Sequence, residues 1–120
     1  MRLAATLVIA LVAALHVYFL VLEMFLWRTP FGRRTFGTTA EAAESSAVLA
    51  ANQGLYNGFL AAGLLWALVW YGPVSGRAIL TFFLGCVVVA GIFGGVTVGR
   101  RILLVQAAPA LIAAALLWLS

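Results

Sequence analysis

Leu3-Ala4-Ala5-Thr6-Leu7-Val8-Ile9-Ala10-Leu11-Val12-Ala13-Ala14-Leu15-His16-Val17-Tyr18-Phe19-Leu20-Val21-Leu22-Glu23-Met24-Phe25-Leu26-Trp27 is an apolar run interrupted by one carboxyl and one imidazole. A helix needs about 20 mainly apolar residues to cross hydrocarbon, so this run is long enough to span. It also continues past the ~7–15 residue core of a signal peptide, and no small-x-small cleavage site follows, so it reads as a retained first helix. Arg28 and Pro30 are expected to stop it. The remaining chain repeats the pattern, with further apolar runs at about 47–71, 78–99 and 102–119.

Composition agrees with that reading. Of 120 residues, 66% are apolar and 8% charged, with a mean hydropathy of +1.17, against about 25% charged residues in soluble domains. The length allows one domain, 1–120, and leaves no room for a separate folded enzyme outside the bilayer. The lone Cys86 cannot form an internal disulfide, and no Cys/His spacing offers a structural zinc site. No metal or cofactor is expected. The net charge of +4 comes from seven arginines at the edges of the apolar runs, which argues for topology control and against nucleic-acid binding.

The stretch 28–37 mixes arginines with Pro30, Gly32 and Gly37, as a connection at the lipid headgroups should. Thr38-x-x-Glu41 reads as a capping box opening a second helix near residue 39, well before its apolar part. Gly72-Pro73-Val74-Ser75-Gly76 and Gly99-Arg100-Arg101 are links too short for anything but antiparallel neighbours, so the expected fold is an all-α, antiparallel four-transmembrane-helix bundle. Five arginines in the 28–46 and 100–101 links, against Arg2 and Arg77, place both termini outside a bacterial inner membrane. Trp66, Trp70, Tyr71 and Trp118 fall near the outer interface and Trp27 near the inner one.

Polar groups inside such spans mark function by default. At ~1.5 Å per residue, His16 falls at mid-span and Glu23 about two turns toward the cytoplasm on the same face. Asn57 falls at mid-span of the second helix, with Asn52, Gln53 and Tyr56 nearer the cytoplasm. The expected arrangement therefore has two tiers, His16 with Asn57 and Glu23 with Asn52 and Gln53. Gln106 adds to the second tier, beside a Val105 carbonyl that Pro109 leaves without its helical partner. Gly91, Gly95 and Gly99 form a small-residue stripe suited to close helix packing.

His16-Val17-Tyr18-Phe19-Leu20-Val21-Leu22-Glu23-Met24-Phe25-Leu26-Trp27 and Ala51-Asn52-Gln53-Gly54-Leu55-Tyr56-Asn57-Gly58-Phe59-Leu60 resemble the small bacterial integral-membrane family catalogued as domain of unknown function 1304. The likeness extends through Thr29-Pro30-x-Gly32-Arg33 and the four spans. It implies a four-span inner-membrane protein and carries over no activity. Size and span count are also similar to those of the small multidrug exporters, where a first-helix carboxylate in each protomer serves a dimer, although the motifs differ.

Three functions fit these residues. The first is a membrane-embedded binding or transport protein, acting as a homodimer and taking a small cationic or lipid-like ligand at His16, Glu23, Asn52, Gln53, Tyr56, Asn57 and Gln106. The second is an intramembrane enzyme using Glu23 and His16 as acid and base on a lipid-like substrate, which lacks a second carboxylate or a nucleophile–base pair. The third is an accessory subunit in which the polar tiers only fix helix register.

Overall fold

The structure, a computed structural model, describes residues 1–120. It is all-α. Helix α1 covers Arg2–Met24, α2 Pro30–Phe36, α3 Ala40–Ser75, α4 Arg77–Thr97 and α5 Arg100–Trp118. Four of these, α1, α3, α4 and α5, are long and apolar enough to cross a membrane, as a multi-pass membrane protein requires. The chain forms two compact units, one of Met1–Ala14 with Leu60–Ser120 and one of Leu15–Phe59.

In the first unit, four helical segments share one apolar core. Ile9 and Val12 of α1 pack with Leu64 of α3, Leu80, Leu84 and Val87 of α4, and Ala110, Ala113 and Leu117 of α5, all essentially inaccessible. Large apolar side chains such as Leu7, Val69, Trp70 and Val96 face outward, an arrangement that suits lipid rather than water as the solvent.

The links are as short as the sequence suggests. Gly76 alone separates α3 from α4, and Val98-Gly99 separates α4 from α5. Two of the three glycines in the stripe, Gly91 and Gly95, sit against Ala107 and Leu103 of α5, and Gly94 against Ile102. Ascending positions on α4 meet descending ones on α5, so the pair is antiparallel. Gly99 leaves the stripe: its backbone is extended, with φ 173°, as the residue that opens α5. The far end of the pair is tied by the Arg77 guanidinium, 5.1 Å from the Trp118 ring centroid, and by Trp118 Nε1 donating to Thr81 Oγ1 at 2.9 Å.

Two helices widen locally into π turns. In α5 the π segment Leu103–Ala107 ends one residue before Pro109, at Ala108, whose N–H reaches back five residues to the Leu103 carbonyl. A proline cannot donate to the carbonyl four residues back, and the preceding turn absorbs the mismatch. In α3 the π segment Ala67–Tyr71 ends at Gly72, whose φ of 81° is open to glycine and strained for other residues.

In the second unit the boundaries differ from the expected ones. Helix α1 ends at Met24 rather than Trp27, and residues 30–36, expected to be an irregular connection, form α2. Thr29 caps that helix, its hydroxyl accepting the Gly32 N–H at 3.1 Å. Pro30 therefore opens a helix instead of stopping one, because its missing N–H and fixed φ are harmless at the first helical position. The α3 cap is also displaced by one residue. Thr39 Oγ1 accepts the Ala42 N–H at 3.1 Å, so the Thr38–Glu41 capping box does not form, and Ala42 at the third position has no side chain to reciprocate. At 1.5 Å per residue α3 is about 54 Å long, well beyond a ~30 Å hydrocarbon core.

These contacts make two glycines of α4 behave oppositely. A Cβ at Gly91 would lie 2.6 Å from the Ala107 nitrogen, whereas one at Gly85 meets nothing within 4 Å. Gly91→Ala should destabilise the protein by about 1–3 kcal/mol through overpacking. Gly85→Ala should be neutral or stabilise by up to about 1 kcal/mol through helix propensity. Unfolding titrations of both variants in detergent micelles measure the difference.

Candidate functional site: a buried carboxyl at the end of the first span

The site is built within the Leu15–Phe59 unit. Its register is set by two small residues of α3 that let α1 approach. A Cβ on Gly54 would lie 2.8 Å from Met24 Cγ and 3.0 Å from Glu23 Cβ, and Gly58 faces the Leu20 side chain. Four residues on α3 thus match three to four on α1 in the opposite direction, which is antiparallel packing through a small-xxx-small pair.

This register brings Asn57 to Glu23. The Asn57 amide Nδ2 donates to Glu23 Oε1 at 2.5 Å, and both side chains are buried, 9% and 5% exposed. Arg28, the guanidinium nearest in sequence to Glu23, pairs instead with Glu44. A charged carboxylate accepting from an amide makes a stronger bond than a neutral pair does, and it leaves further lone pairs available.

Glu23 also lines a cavity of about 510 Å³, within the range of about 300–1,000 Å³ common for small-molecule sites. Met24, Trp27 and Arg28 line it from the end of α1 and the turn that follows, and Ala47, Val48 and Ala51 line it from α3. The turn is held in place from several directions. Trp27 Nε1 donates to Ser46 Oγ at 3.2 Å, the Trp27 ring lies 4.8 Å from that of Phe36, and the Thr29 hydroxyl donates to the Leu26 carbonyl at 2.6 Å. Arg28 Nη1 reaches Glu44 Oε1 at 3.2 Å. That pair is largely exposed, so it contributes at most about 1 kcal/mol.

The other expected site residues lie elsewhere. His16 is 1% exposed and meets Phe19 edge-on at 5.3 Å. It shares the Glu23 face of α1 but stands two turns away, about 10 Å along the axis. Asn52 is exposed, and its Nδ2 donates to the Val48 carbonyl of its own helix at 2.9 Å. Gln53 and Tyr56 are exposed as well. Gln106 is half-buried in the π segment of α5, within the other unit. The expected tiers are therefore replaced: Glu23 pairs with Asn57, and not with Asn52 or Gln53. The pairing is offset by about one helical turn from the one that aligning the middles of the two spans gives, and the close approach of Gly54 to Met24 and Glu23 and of Gly58 to Leu20 fixes that offset. No group of three or more His, Cys, Asp or Glu side chains that could hold a metal is present.

Sequence reasoning gave Trp27 and Arg28 only an interface and a helix-ending role and did not single out Ala47, Val48 or Ala51, yet all five line the cavity. The signal that could have found them is the Gly54-x-x-x-Gly58 pair, which fixes the face of α3 that α1 meets.

Residues 10–118 match the family described as "Protein of unknown function (DUF1304)". The chain belongs to that family. It is also 29% identical over 111 residues to the uncharacterized protein YpaA of Lactococcus lactis subsp. lactis (strain IL1403), a match covering 90% of this chain and 92% of that protein. No solved structure matches. Both matches extend across the spans and the site alike.

The two asparagines of α3 separate clearly under substitution. Asn57→Leu removes the one amide that Glu23 accepts from, leaving a buried acceptor unpaired, and should lower stability by about 1–3 kcal/mol. Asn52→Leu disturbs only an exposed bond within its own helix and should change stability by less than about 0.5 kcal/mol. Chemical unfolding of the two purified variants in the same detergent compares them.

Proposed function

We propose that the protein is a membrane-embedded binding or transport protein that receives a small cationic or lipid-like ligand at Glu23. The observation that carries this reading is the Glu23 carboxyl itself: buried, hydrogen-bonded to a neutral amide, and lining a cavity. An ionisable group within a span is costly, and such groups mark ligand or ion pathways by default. A cationic ligand would supply the opposite charge. Asn57 would hold the carboxyl in position for it.

The arginine distribution supports a bacterial inner-membrane location with both termini outside. In that topology the cavity opens at the cytoplasmic headgroups. Trp27, an amphipathic ring suited to that depth, forms part of its wall.

The test is titration of the purified chain with dodecylammonium, a primary amine with an apolar tail. Glu23→Gln keeps the shape and can still accept from Asn57 through its side-chain carbonyl, while losing the charge. The wild type should bind at least about ten-fold more tightly than this variant, a difference of about 1.4 kcal/mol. Equal binding by both proteins would remove Glu23 from the mechanism.

A further inference from the structure

The cavity presents a carboxyl and a guanidinium to one occupant. Glu23 lies at the end of α1, and Arg28 lies in the turn five residues later; both line the same space. Arg28 is not used up by its ion pair. The contacts with Glu44, at 3.2 and 3.4 Å, come from Nη1 alone, and a guanidinium carries five N–H donors. Apart from Thr29, the rest of the lining is apolar or aromatic, including Met24 and Trp27 from the end of α1 and the turn after it, and Ala47 and Ala51 from α3. Phe25 and Val48 form an apolar lip, lining the cavity while remaining 69% and 76% exposed.

Resting on the ligand-binding role of Glu23, we infer that this cavity receives the zwitterionic headgroup of an aminophospholipid, its ammonium on Glu23 and its phosphate on Arg28. The two charges of the headgroup are complementary to the two charges of the cavity. A guanidinium suits phosphate because its planar donors match two phosphate oxygens. An anionic lipid without an ammonium would bring negative charge toward Glu23, and a simple cation would leave Arg28 without its second partner. The exposed lip favours a lipid over a soluble zwitterion, since acyl chains leaving the headgroup would run along Phe25 and Val48. The position also fits the topology proposed above, because the cavity sits where α1 ends.

The experiment uses the full chain in dodecyl maltoside micelles, titrated with phosphatidylethanolamine, phosphatidylglycerol of the same acyl chains, dodecylammonium and soluble glycerophosphoethanolamine. Binding is read by native mass spectrometry and by the shift in thermal midpoint. Phosphatidylethanolamine should bind at least ten-fold more tightly than phosphatidylglycerol and than glycerophosphoethanolamine. Arg28→Gln should lose about ten-fold for phosphatidylethanolamine and leave dodecylammonium binding unchanged, and Arg28→Lys should recover part of the loss. Glu44→Gln, which releases Arg28 from its ion pair, should tighten phosphatidylethanolamine binding. Three results would overturn the inference: equal or tighter binding of phosphatidylglycerol, equal binding of the soluble headgroup, or an Arg28→Gln protein with wild-type affinity for phosphatidylethanolamine. If dodecylammonium still depends on Glu23 in those cases, the aminophospholipid is wrong and the cation-binding role of Glu23 stands. If dodecylammonium ignores Glu23, both fall.

Discussion

A carboxyl group at the edge of an apolar span must be given a partner. Insertion scales charge about 2.5–3.5 kcal/mol for an Asp at mid-span, and Glu23 is itself only 5% exposed. The hydrogen bond from Asn57 to Glu23 answers that demand within the protein. It requires α1 and α3 to be close, which Gly54 and Gly58 permit by lacking side chains where α1 passes. It also requires one register, because a slip of a single residue on α3 would turn Asn57 away from α1. The end of α1, the turn through Arg28 and Thr29, and Ala47, Val48 and Ala51 of α3 then line one cavity beside the same carboxyl.

The two units rest on different physics. The unit of Met1–Ala14 and Leu60–Ser120 has an apolar core, and its precision comes from small residues and close backbones, as at Gly91 against Ala107. Lipid tails are as apolar as its leucines, so burial from water cannot drive that association and packing must. The Leu15–Phe59 unit holds Glu23, Asn57, His16, the exposed Arg28–Glu44 pair and the Trp27–Ser46 bond. Its specificity comes from directional polar contacts. That difference is what makes the second unit the place to look for recognition, since directional groups discriminate among ligands and apolar contacts largely do not.

The spans were legible because twenty-odd apolar residues between arginines admit few alternatives: the run starting at Leu3 and those ending near Tyr71, Gly99 and Leu119 all became helices. The importance of Glu23 and Asn57 was legible for the same reason, since polar residues in such runs are conspicuous. Their pairing was not. Hydropathy continues through Phe25, Leu26 and Trp27, so it places the end of α1 three residues late. The backbone signal that ends it, a Thr29 cap followed by Pro30, reads equally well as a loop. Aligning the middles of the two spans set Asn52 and Gln53 opposite Glu23, about one turn out, because the actual offset is fixed by the approach at Gly54 and Gly58. Residues Ala47, Val48 and Ala51 carry no chemical mark at all, and only the partner helix turns them into a cavity wall.

A double-mutant cycle between positions 23 and 57 tests this account most directly, because it isolates the pair from everything else either side chain touches. Unfolding free energies are measured for the wild type, Glu23→Ala, Asn57→Ala and the double variant in one detergent. Coupling of about 1 kcal/mol or more is expected, with the double variant losing less than the two single losses combined. Strict additivity, within about 0.3 kcal/mol, would mean that the two side chains do not meet, and that the cavity built around their contact does not exist in that form.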